Sequence, residues 1–295
     1  MKHLKEELNP ILELTEKDRI AHIMNEKWIG YPRAKNILNR LEELFEHPII
    51  HRMPNLLLVG DTNNGKTVIV NRFEKQHQSY LTENETSLVI PVMLIQAPPI
   101  PDEKRFYNAI LDKLAVPYRI NDRVERKEKQ AMHILKNVQL KVLIIDEIHH
   151  VLAGSTAKQR VFLNVIKYLA NELRISIVGV GTRDALYAFQ SDPQLSNRFE
   201  PLLLPKWHMN EEYIRLLSSF ESIMPLKKPS NLTEQVLATK ILAMSEGVLG
   251  EITNIIKKAS VAAIKNGDEK ITKSTLESID WKSPSERKSF KYAEK

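Results

Sequence analysis

The stretch "NLLLVGDTNNGKTVIV", residues 55–70, joins an apolar run to a helix-like run through a loop that contains two glycines. Its middle matches the pattern G-x-x-x-x-G-K-[ST] in full, with Gly60, Gly65, Lys66 and Thr67 at the defined positions. A strand before this pattern and a helix after it distinguish a phosphate-binding P-loop from an ordinary turn. We therefore predict an α/β fold with a nucleotide site, whose loop consists of Gly60, Asp61, Thr62, Asn63, Asn64, Gly65, Lys66 and Thr67.

The residue types of this loop suit a triphosphate and a metal ion. Glycine frees the backbone to curl, so that its N–H groups and the start of the following helix face the phosphates. Lys66 can neutralise the β- and γ-phosphate oxygens, and the Thr67 hydroxyl can bind Mg²⁺. The expected cofactors are therefore ATP and Mg²⁺.

A second motif occurs in "KVLIIDEIHH", residues 141–150, where an apolar run ends in Asp146 and Glu147. Asp146 can hold the Mg²⁺ shell directly or through water, so the expected metal ligands are Thr67 and Asp146. Glu147 follows the strand end, where it can polarise the water that attacks the γ-phosphate. The adjacent Asp-Glu pair favours ATP hydrolysis over phosphoryl transfer to a second substrate.

Strand-like and helix-like runs alternate up to about residue 205. The strands are expected at 55–59, 88–96, 141–146, 175–181 and 201–205, and the helices near 33–46, from 66, near 102–115, 124–137 and 157–172, and from 183. Continuous apolar strands separated by helices indicate a parallel sheet covered on both faces, an αβα sandwich. Only helical patterns follow, at 210–221, 232–245, 250–265 and 272–279. We predict an N-terminal helical extension at 1–50, the αβα domain at 51–205, a helical lid at 206–280 and a flexible basic tail at 281–295.

The composition excludes several other classes of protein. The 295 residues include no cysteine, so disulfides, thiolate nucleophiles and cysteine-based zinc sites are excluded. No stretch approaches the roughly 18 apolar residues that a membrane span requires, and the first residues lack the apolar centre of a signal peptide. We expect an unexported protein of a bacterial cytoplasm, without a membrane partner. The formal net charge of +6 favours polyanions such as nucleic acid.

Four motifs occur in the order found in AAA+ ATPases: residues 60–67 and 142–147, "VGVGT" at 178–182 and "LSNRFEP" at 195–201. Together with "WIGYPRA" at 28–34 and "NRFEPLLLP" at 197–205, they make the chain resemble the TniB-type transposition AAA+ ATPases, which are related to TnsC and MuB. The resemblance covers residues 17–265. It implies an AAA+ P-loop fold with a C-terminal helical lid.

The resemblance also implies site residues outside the first two motifs. Thr182 would be the sensor-1 group that contacts the γ-phosphate or the attacking water. Arg198 would be the arginine finger that reaches the γ-phosphate of a neighbouring subunit, or else a surface arginine at the start of a strand. The segment 28–32, with Ile29 and Tyr31, would pack on adenine, unless its aromatic residues only fill the core. The implied catalytic set is Glu147, Thr182 and Arg198.

The expected lid departs from the usual pattern. AAA+ lids commonly carry a sensor-2 arginine in G-x-x-R, whereas "GEITNIIKKA" at 250–259 has Thr253 at that position. Either Lys257 or Lys258 replaces the arginine, or the lid does not contact the γ-phosphate. We therefore expect a slow ATPase that works as a switch.

Family members of this kind assemble on duplex DNA as ATP-bound rings or helical filaments and recruit or activate a transposase. The resemblance implies four partners: double-stranded DNA without sequence specificity, a transposase, a TniQ-like targeting protein and further copies of the chain. Contacts to DNA backbone phosphates are individually weak, and assembly adds them together. Candidate contacts lie between the second and third predicted strands: Lys104, Arg105, Lys113, Arg119, Arg123, Arg126 and Lys127. A charged, solvated helix face would explain the same residues without DNA.

Three other functions stay open. A replication initiator or clamp-loader subunit would share the fold, a P-loop kinase would share the loop, and a nucleotide-gated scaffold would need little hydrolysis. The Glu147 position argues against the kinase. We set aside a metal site at His149 and His150 with His133, because adjacent residues on one element are expected to point in different directions.

Overall fold

The structure is a computed structural model and describes residues 3–84, 87–190 and 196–289. Leu195 of the "LSNRFEP" motif and residues 290–295 of the expected tail lie outside the described residues. The chain divides into two compact units. The sheet unit comprises residues 33–204, and the helical unit comprises residues 1–32 together with 205–295.

The helices and strands are numbered in chain order. The helices are α1 (Asn9–Leu12), α2 (Glu16–Met24), α3 (Pro32–Glu46), α4 (Lys66–Gln76), α5 (Glu103–Lys113), α6 (Val124–Asn137), α7 (Thr156–Leu173), α8 (Arg183–Gln190), α9 (Glu211–Ile223), α10 (Gln235–Ser245), α11 (Leu249–Lys265), α12 (Lys273–Ser278) and α13 (Pro284–Ser289). The strands are β1 (Asn55–Gly60), β2 (Tyr80–Leu81), β3 (Leu88–Val89), β4 (Val92–Gln96), β5 (Val142–Asp146), β6 (Ser176–Gly181) and β7 (Phe199–Leu204). Short 3₁₀ helices span Glu6–Leu8 and Ile148–Ala153.

A five-stranded sheet forms the centre of the sheet unit, in the order β4-β5-β6-β1-β7. Every neighbouring pair in it is parallel. All residues of β1, β5 and β6 are buried. Because successive side chains of a strand point to opposite faces, both faces of these strands are covered, as predicted for an αβα sandwich. We call the edge where the parallel strands begin the amino edge, and the edge where they end the carboxyl edge.

The predicted strand 88–96 is divided in the structure. β3 pairs with β2 in a separate antiparallel hairpin, and only β4 joins the main sheet. Pro91 lies between β3 and β4 and has no N–H to donate to a ladder. Its carbonyl accepts hydrogen bonds from the N–H groups of Lys141 and Val142, at 2.9 and 3.1 Å. The proline therefore interrupts a run whose apolar character alone predicted one strand.

The main core of the sheet unit lies between the sheet and the helices α5 to α8. Phe106 of α5 and Phe162 of α7 are buried, with ring centroids 5.2 Å apart. Leu57 of β1 and Ile145 of β5 belong to the same cluster. Large buried side chains of this kind dominate core energetics. This packing holds the ends of β1, β5 and β6 together at the carboxyl edge.

The helical unit joins both ends of the chain. Arg19 of α2 is buried and donates hydrogen bonds to the Glu269 carboxylate and the Pro225 carbonyl, at 2.5 to 2.8 Å. The structure therefore differs from the expected extension 1–50, because residues up to 32 pack with the C-terminal helices, whereas most of α3 belongs to the sheet unit. Within the described residues, no helix combines the length and the apolar character needed to cross a membrane.

The first part of the expected flexible tail packs on the helical unit. The Trp281 indole Nε1 donates a hydrogen bond to the Met244 carbonyl at 2.9 Å. Arg287 of α13 forms an ion pair with Glu251 of α11 at 2.5 Å. Charge composition predicted a solvated tail, but an aromatic residue and one specific ion pair attach residues 281–289 to the fold.

Candidate nucleotide-binding site

The P-loop follows β1 at the carboxyl edge of the sheet. β1 ends at Gly60 and α4 begins at Lys66, so the loop leads directly into a helix N-terminus. A Cβ atom at position 60 would lie 2.7 Å from the Leu204 carbonyl oxygen, so a larger residue would push β7 away. Gly65 has a φ of 90°, a left-handed conformation that glycine adopts without steric cost. The local backbone therefore requires both glycines of the motif.

Lys66 is turned back over the loop. Its Nζ donates hydrogen bonds to the carbonyl oxygens of Gly60 and Asp61, at 2.9 and 2.8 Å. Burial lowers the pKa of Lys66, while the carboxylates of Asp146, Glu147 and Asp61 act in the opposite direction. Phosphate oxygens in the loop would offer this ammonium charged acceptors, which form stronger hydrogen bonds than neutral carbonyls. The lysine is therefore placed to hold a phosphate.

The asparagines of the loop differ in environment. Asn64 is 1% exposed, and its Nδ2 donates a hydrogen bond to the Leu204 carbonyl at 2.9 Å. Thr62 and Asn63 are exposed, and Asn63 has a φ of 61°. The Asn64 side chain thus attaches the loop to the end of β7 and helps to hold its curvature.

Thr67 and Asp146 meet at the carboxyl edge. The Thr67 hydroxyl donates a hydrogen bond to Asp146 Oδ2 at 2.7 Å. Mg²⁺ prefers oxygen ligands at about 2.0–2.1 Å in octahedral geometry, which places neighbouring ligands about 2.9 Å apart. A hydroxyl and a carboxylate at this spacing fit a magnesium site.

Glu147 directly follows the end of β5. It has a left-handed backbone conformation, with a φ of 55°. Its N–H donates a hydrogen bond to Asp146 Oδ1 at 2.8 Å, and its carboxylate Oε2 lies 3.1 Å from His149 Nε2. Non-glycine residues seldom adopt positive φ outside functional sites and turns. The hydrogen bond to Asp146 and the contact with His149 therefore hold Glu147 in a defined place beside Asp146.

Thr182 lies between the two motifs because of the strand order. β6 runs between β1 and β5, and Thr182 follows the last residue of β6. Its Oγ1 atom is buried and has no hydrogen-bond partner within the described residues. Most buried hydroxyls have a partner, and an exception calls for a functional or structural explanation. The placement suits the sensor role that the resemblance implies.

Arg198 lies at the amino edge, opposite to the P-loop. It precedes Phe199, which pairs with Asn55, the first residue of β1. The two strands have six residues each, so they span about 20 Å. Arg198 Nη1 donates a hydrogen bond to Asn171 Oδ1 at 3.0 Å. Arg198 therefore does not reach the P-loop of its own chain.

A groove of about 780 Å³ opens at the amino edge of the sheet unit. Arg198, Arg52 and His47 line it with basic side chains, and Ile50 and Phe199 contribute apolar surface. This groove and the P-loop lie at opposite ends of the same parallel strands.

Glu147, His149 and His150 are closer together than the sequence analysis expected. Their candidate ligand atoms lie within 4.8 Å of one another, and the two imidazole centroids are 4.9 Å apart. The two rings lie beside each other next to Glu147, so the expectation that these adjacent residues point in different directions was wrong for this pair. His133 contacts Asn137 instead, at 3.0 Å.

Lys127 is not available to DNA. Its side chain is 0% exposed, and Nζ donates a hydrogen bond to Asn108 Oδ1 at 2.5 Å and lies 4.2 Å from the centroid of the Tyr118 ring. The prediction that Lys127 contacts DNA is therefore wrong. The ammonium joins α5 to α6 inside the fold.

The other predicted DNA-contact residues lie nearer to solvent, between β4 and β5. Lys104 is half-buried. Lys113 forms an ion pair with Glu74 at 2.9 Å, and Arg126 forms one with Asp122 at 3.5 Å. The exposed members are Arg105, Lys113, Arg119, Arg123 and Arg126.

Ile29 and Tyr31 belong to the helical unit. Tyr31 is buried, and its ring packs edge-on against Trp207 with centroids 5.1 Å apart. Ile29 is half-buried. The Tyr31 ring therefore contributes to packing within this unit, and its predicted contact with adenine stays a prediction.

Both candidate substitutes for the sensor-2 arginine have acceptors within the helical unit. Lys257 Nζ donates hydrogen bonds to the carbonyls of Met24 and Asn25, each at 3.0 Å. Lys258 Nζ donates to the Asp280 carbonyl at 3.0 Å. Lys257 thus satisfies carbonyls at the C-terminus of α2, a common role for lysine at helix ends.

Two residues of the site were not predicted from the sequence. Arg183 follows Thr182, and its Nε lies 3.5 Å from Asp61 Oδ1 in the P-loop. His149 was considered only as a metal ligand, whereas the structure places it against Glu147. The position of Arg183 directly after the expected sensor is a signal that could have revealed it. The contact of His149 with Glu147 has no such signal in the sequence.

Comparisons with known proteins agree with this geometry. The family model described as "Bacterial TniB protein" matches residues 19–209. A search of curated proteins found no match.

Several solved structures share the fold. The Aeropyrum pernix ORC2 protein, in ADPNP-ADP complexes, is 15% identical with a TM-score of 0.59, over 86% of this chain and 69% of that chain. The Aeropyrum pernix ORC1 protein in complex with DNA is 14% identical with a TM-score of 0.57, over 88% and 68%. Thermotoga maritima RuvB is 16% identical with a TM-score of 0.50, over 86% and 71%. The fold is thus that of the AAA+ P-loop ATPases, and because the family model matches more than half of the chain, the chain belongs to the bacterial TniB family.

Proposed function

We propose that the chain is an ATP-dependent regulator of transposition that assembles on target DNA and uses ATP hydrolysis to disassemble. The observation that carries the proposal is the convergence of Lys66, Thr67, Asp146, Glu147 and Thr182 at one edge of the sheet. Each of them supplies a group that ATP hydrolysis requires.

The proposed reaction divides the work among these side chains. Lys66 neutralises the β- and γ-phosphate oxygens, while Thr67 and Asp146 hold Mg²⁺. When bound, Mg²⁺ supplies positive charge that stabilises the charge developing on the phosphate oxygens. Glu147 orients the water and accepts its proton as the water oxygen bonds to the γ-phosphorus and the bond to the ADP oxygen breaks. Thr182 offers its hydroxyl to the water or the γ-phosphate.

Arg198 is proposed to complete the site of a neighbouring protomer. It lies at the amino edge, in the groove that Arg52 and His47 also line. A contact between the amino edge of one copy and the carboxyl edge of the next is heterologous, and such contacts generate rings or helical filaments. Arginine fingers supplied in this way raise hydrolysis rates by large factors, so we expect slow hydrolysis outside the assembly.

DNA is proposed as the surface on which the copies assemble. The exposed arginines between β4 and β5 and the net charge of +6 support contacts with backbone phosphates. The proposed partners are duplex DNA without sequence specificity, a transposase and a TniQ-like targeting protein, and the TniB family assignment supports them. Such a role places the protein on the nucleoid in the cytoplasm.

Electron microscopy with plain duplex DNA, Mg²⁺ and a non-hydrolysable ATP analogue tests this proposal. We expect rings or filaments on DNA of any sequence, and none with Lys66→Ala. Unaltered assembly of Lys66→Ala would contradict the proposal. A footprint confined to one DNA sequence would favour a replication initiator, the alternative that the likeness to the ORC proteins supports.

Mixing two inactive variants tests whether Arg198 acts across the interface. Lys66→Ala lacks a working P-loop but retains Arg198, whereas Arg198→Ala retains the P-loop. We expect each variant alone to hydrolyse ATP poorly and their mixture to recover part of the activity, because one mixed interface contains both groups. The double variant Lys66→Ala/Arg198→Ala is the control. Mixed with either single variant, it should not restore ATP hydrolysis. No recovery in the mixture, with assembly intact, would show that Arg198 does not act in trans.

A further inference from the structure

Glu147 is held at two points, one of which the proposed reaction does not use. Its backbone N–H donates a hydrogen bond to Asp146 Oδ1 at 2.8 Å, and its backbone has a left-handed φ of 55°. Its side chain is held separately, by the contact of Oε2 with His149 Nε2 at 3.1 Å. The backbone contact places the Cα atom, and within the described residues the second contact is the one that limits where the carboxylate points.

The two ring nitrogens of His149 lie in different surroundings. Nδ1 is buried and has no hydrogen-bond partner within the described residues. Nε2 lies 3.1 Å from the Glu147 carboxylate. The imidazole therefore contacts this carboxylate through Nε2.

We propose that His149 is the positioning residue for Glu147, an inference that rests on the proposed role of Glu147 in ATP hydrolysis. The imidazole contacts Oε2 through Nε2 and restricts where the carboxylate points, which leaves Oε1 to accept the proton of the attacking water. A misplaced catalytic group slows a reaction strongly even when binding is unaffected. His149 therefore acts on the chemical step without touching ATP.

His150 provides a matched control on the same 3₁₀ helix. Its imidazole centroid is 4.9 Å from that of His149, and its Nδ1 lies 3.5 Å from the Ala97 carbonyl oxygen. Like His149, it is half-buried. Replacing it disturbs the same turn while leaving the contact between His149 and Glu147 in place.

The test measures steady-state hydrolysis and equilibrium binding of an ATP analogue for His149→Ala, His149→Gln and His150→Ala. His149→Ala should lower kcat about 10- to 100-fold with unchanged nucleotide affinity. His149→Gln should recover much of the loss, because its amide can donate to the same carboxylate oxygen. His150→Ala should keep a kcat near that of the unchanged protein. Equal losses for His149→Ala and His150→Ala, or faster hydrolysis in His149→Ala, would overturn the proposal.

A double-mutant cycle with Glu147→Gln separates this inference from the proposed function. If His149 acts through Glu147, His149→Ala should cause no further loss in a Glu147→Gln background. Additive losses would overturn the positioning role and leave the role of Glu147 intact. Undiminished hydrolysis by Glu147→Gln alone would refute both.

Discussion

Thr182 and Ser176 both carry buried hydroxyls without partners within the described residues, at opposite ends of β6. We expect Thr182→Val to leave the free energy of unfolding unchanged, or to raise it by up to about 1 kcal/mol, because an unpaired polar group is removed. Hydrolysis should fall about 10- to 100-fold, because the hydroxyl is proposed to bind the water or the γ-phosphate. Denaturant unfolding and a steady-state ATPase assay measure the two effects.

Ser176→Ala is the matched control for this prediction. Ser176 begins β6 at the amino edge, so its hydroxyl is remote from the proposed chemistry. The substitution should change stability in the same direction as Thr182→Val without slowing hydrolysis. Normal hydrolysis in Thr182→Val, or equal slowing in both variants, would remove the sensor role.

A short motif is predictable from sequence where its residues require a particular backbone conformation. The glycines at 60 and 65 have the close approach and the positive φ that the P-loop pattern implies. The prediction that Lys127 is exposed to DNA was wrong, because the exposure of a side chain depends on which distant segments pack against it. The contact of His149 with Glu147 was not predicted, because a contact between side chains leaves no spacing signal in the sequence.

At the scale of elements, α2 is attached to the helical unit by the ion pair of Arg19 and Glu269. The pair joins a residue that is 2% exposed to one that is 14% exposed. Removing one partner of a buried pair leaves the other charge uncompensated, which typically costs about 3–5 kcal/mol. We therefore expect Arg19→Ala to lower the free energy of unfolding of the helical unit by about this amount, measured by denaturant unfolding at neutral pH.

The loss of stability in Arg19→Ala should depend on pH, which checks that it comes from the ion pair with Glu269. Hydrogen bonds from Arg19 hold the pKa of Glu269 below its usual range. The stabilisation is fully present above the pKa of the unfolded chain, about 4.3, and is lost as the pH falls through the lower folded value. The difference in free energy of unfolding between the unchanged protein and Arg19→Ala should therefore shrink in acid.

Lys240→Ala is the control, because it breaks a more exposed ion pair with Glu277. It should lower the free energy of unfolding by about 0–1 kcal/mol. If Lys240→Ala and Arg19→Ala lowered it equally, burial would not explain the strength of the Arg19 pair.

Element positions were largely predictable, since apolar periodicity reflects which faces are buried. The exception at Pro91 follows from chemistry that the apolar pattern ignores, because proline cannot donate to a ladder. The helix 284–289 was missed for a related reason. Its attachment depends on Trp281 and on Arg287 with Glu251, contacts between segments that are distant in the chain.

At the scale of the whole molecule, DNA binding should depend on exposed and not on total charge. We expect Arg123→Ala/Arg126→Ala to weaken duplex binding and to reduce the slope of log affinity against log salt by up to about 2, because each phosphate contact contributes about 0.9. Fluorescence anisotropy over a salt series measures the slope in the presence of an ATP analogue.

Lys127→Met is the matched control, on the same helix and of similar length. Its ammonium is buried against Asn108 and Tyr118, so the substitution should leave the salt slope unchanged and alter only the free energy of unfolding. If Lys127→Met reduced the salt slope, or if Arg123→Ala/Arg126→Ala did not reduce it, the DNA-binding surface would lie elsewhere.

Four features could be predicted from the amino-acid sequence alone: the P-loop, the Asp146-Glu147 pair, the αβα class and the helical C-terminal part. These features are local, because backbone curvature and apolar periodicity are set by residues close together in the chain. Two other features required the folded structure: the strand order that brings Thr182 between the two motifs, and the amino edge that separates Arg198 from its own P-loop. The structure also revealed the burial of Lys127 and the histidine that contacts Glu147. Strand order and side-chain neighbours are set by how the whole sheet and its helices pack, which no short stretch of sequence specifies.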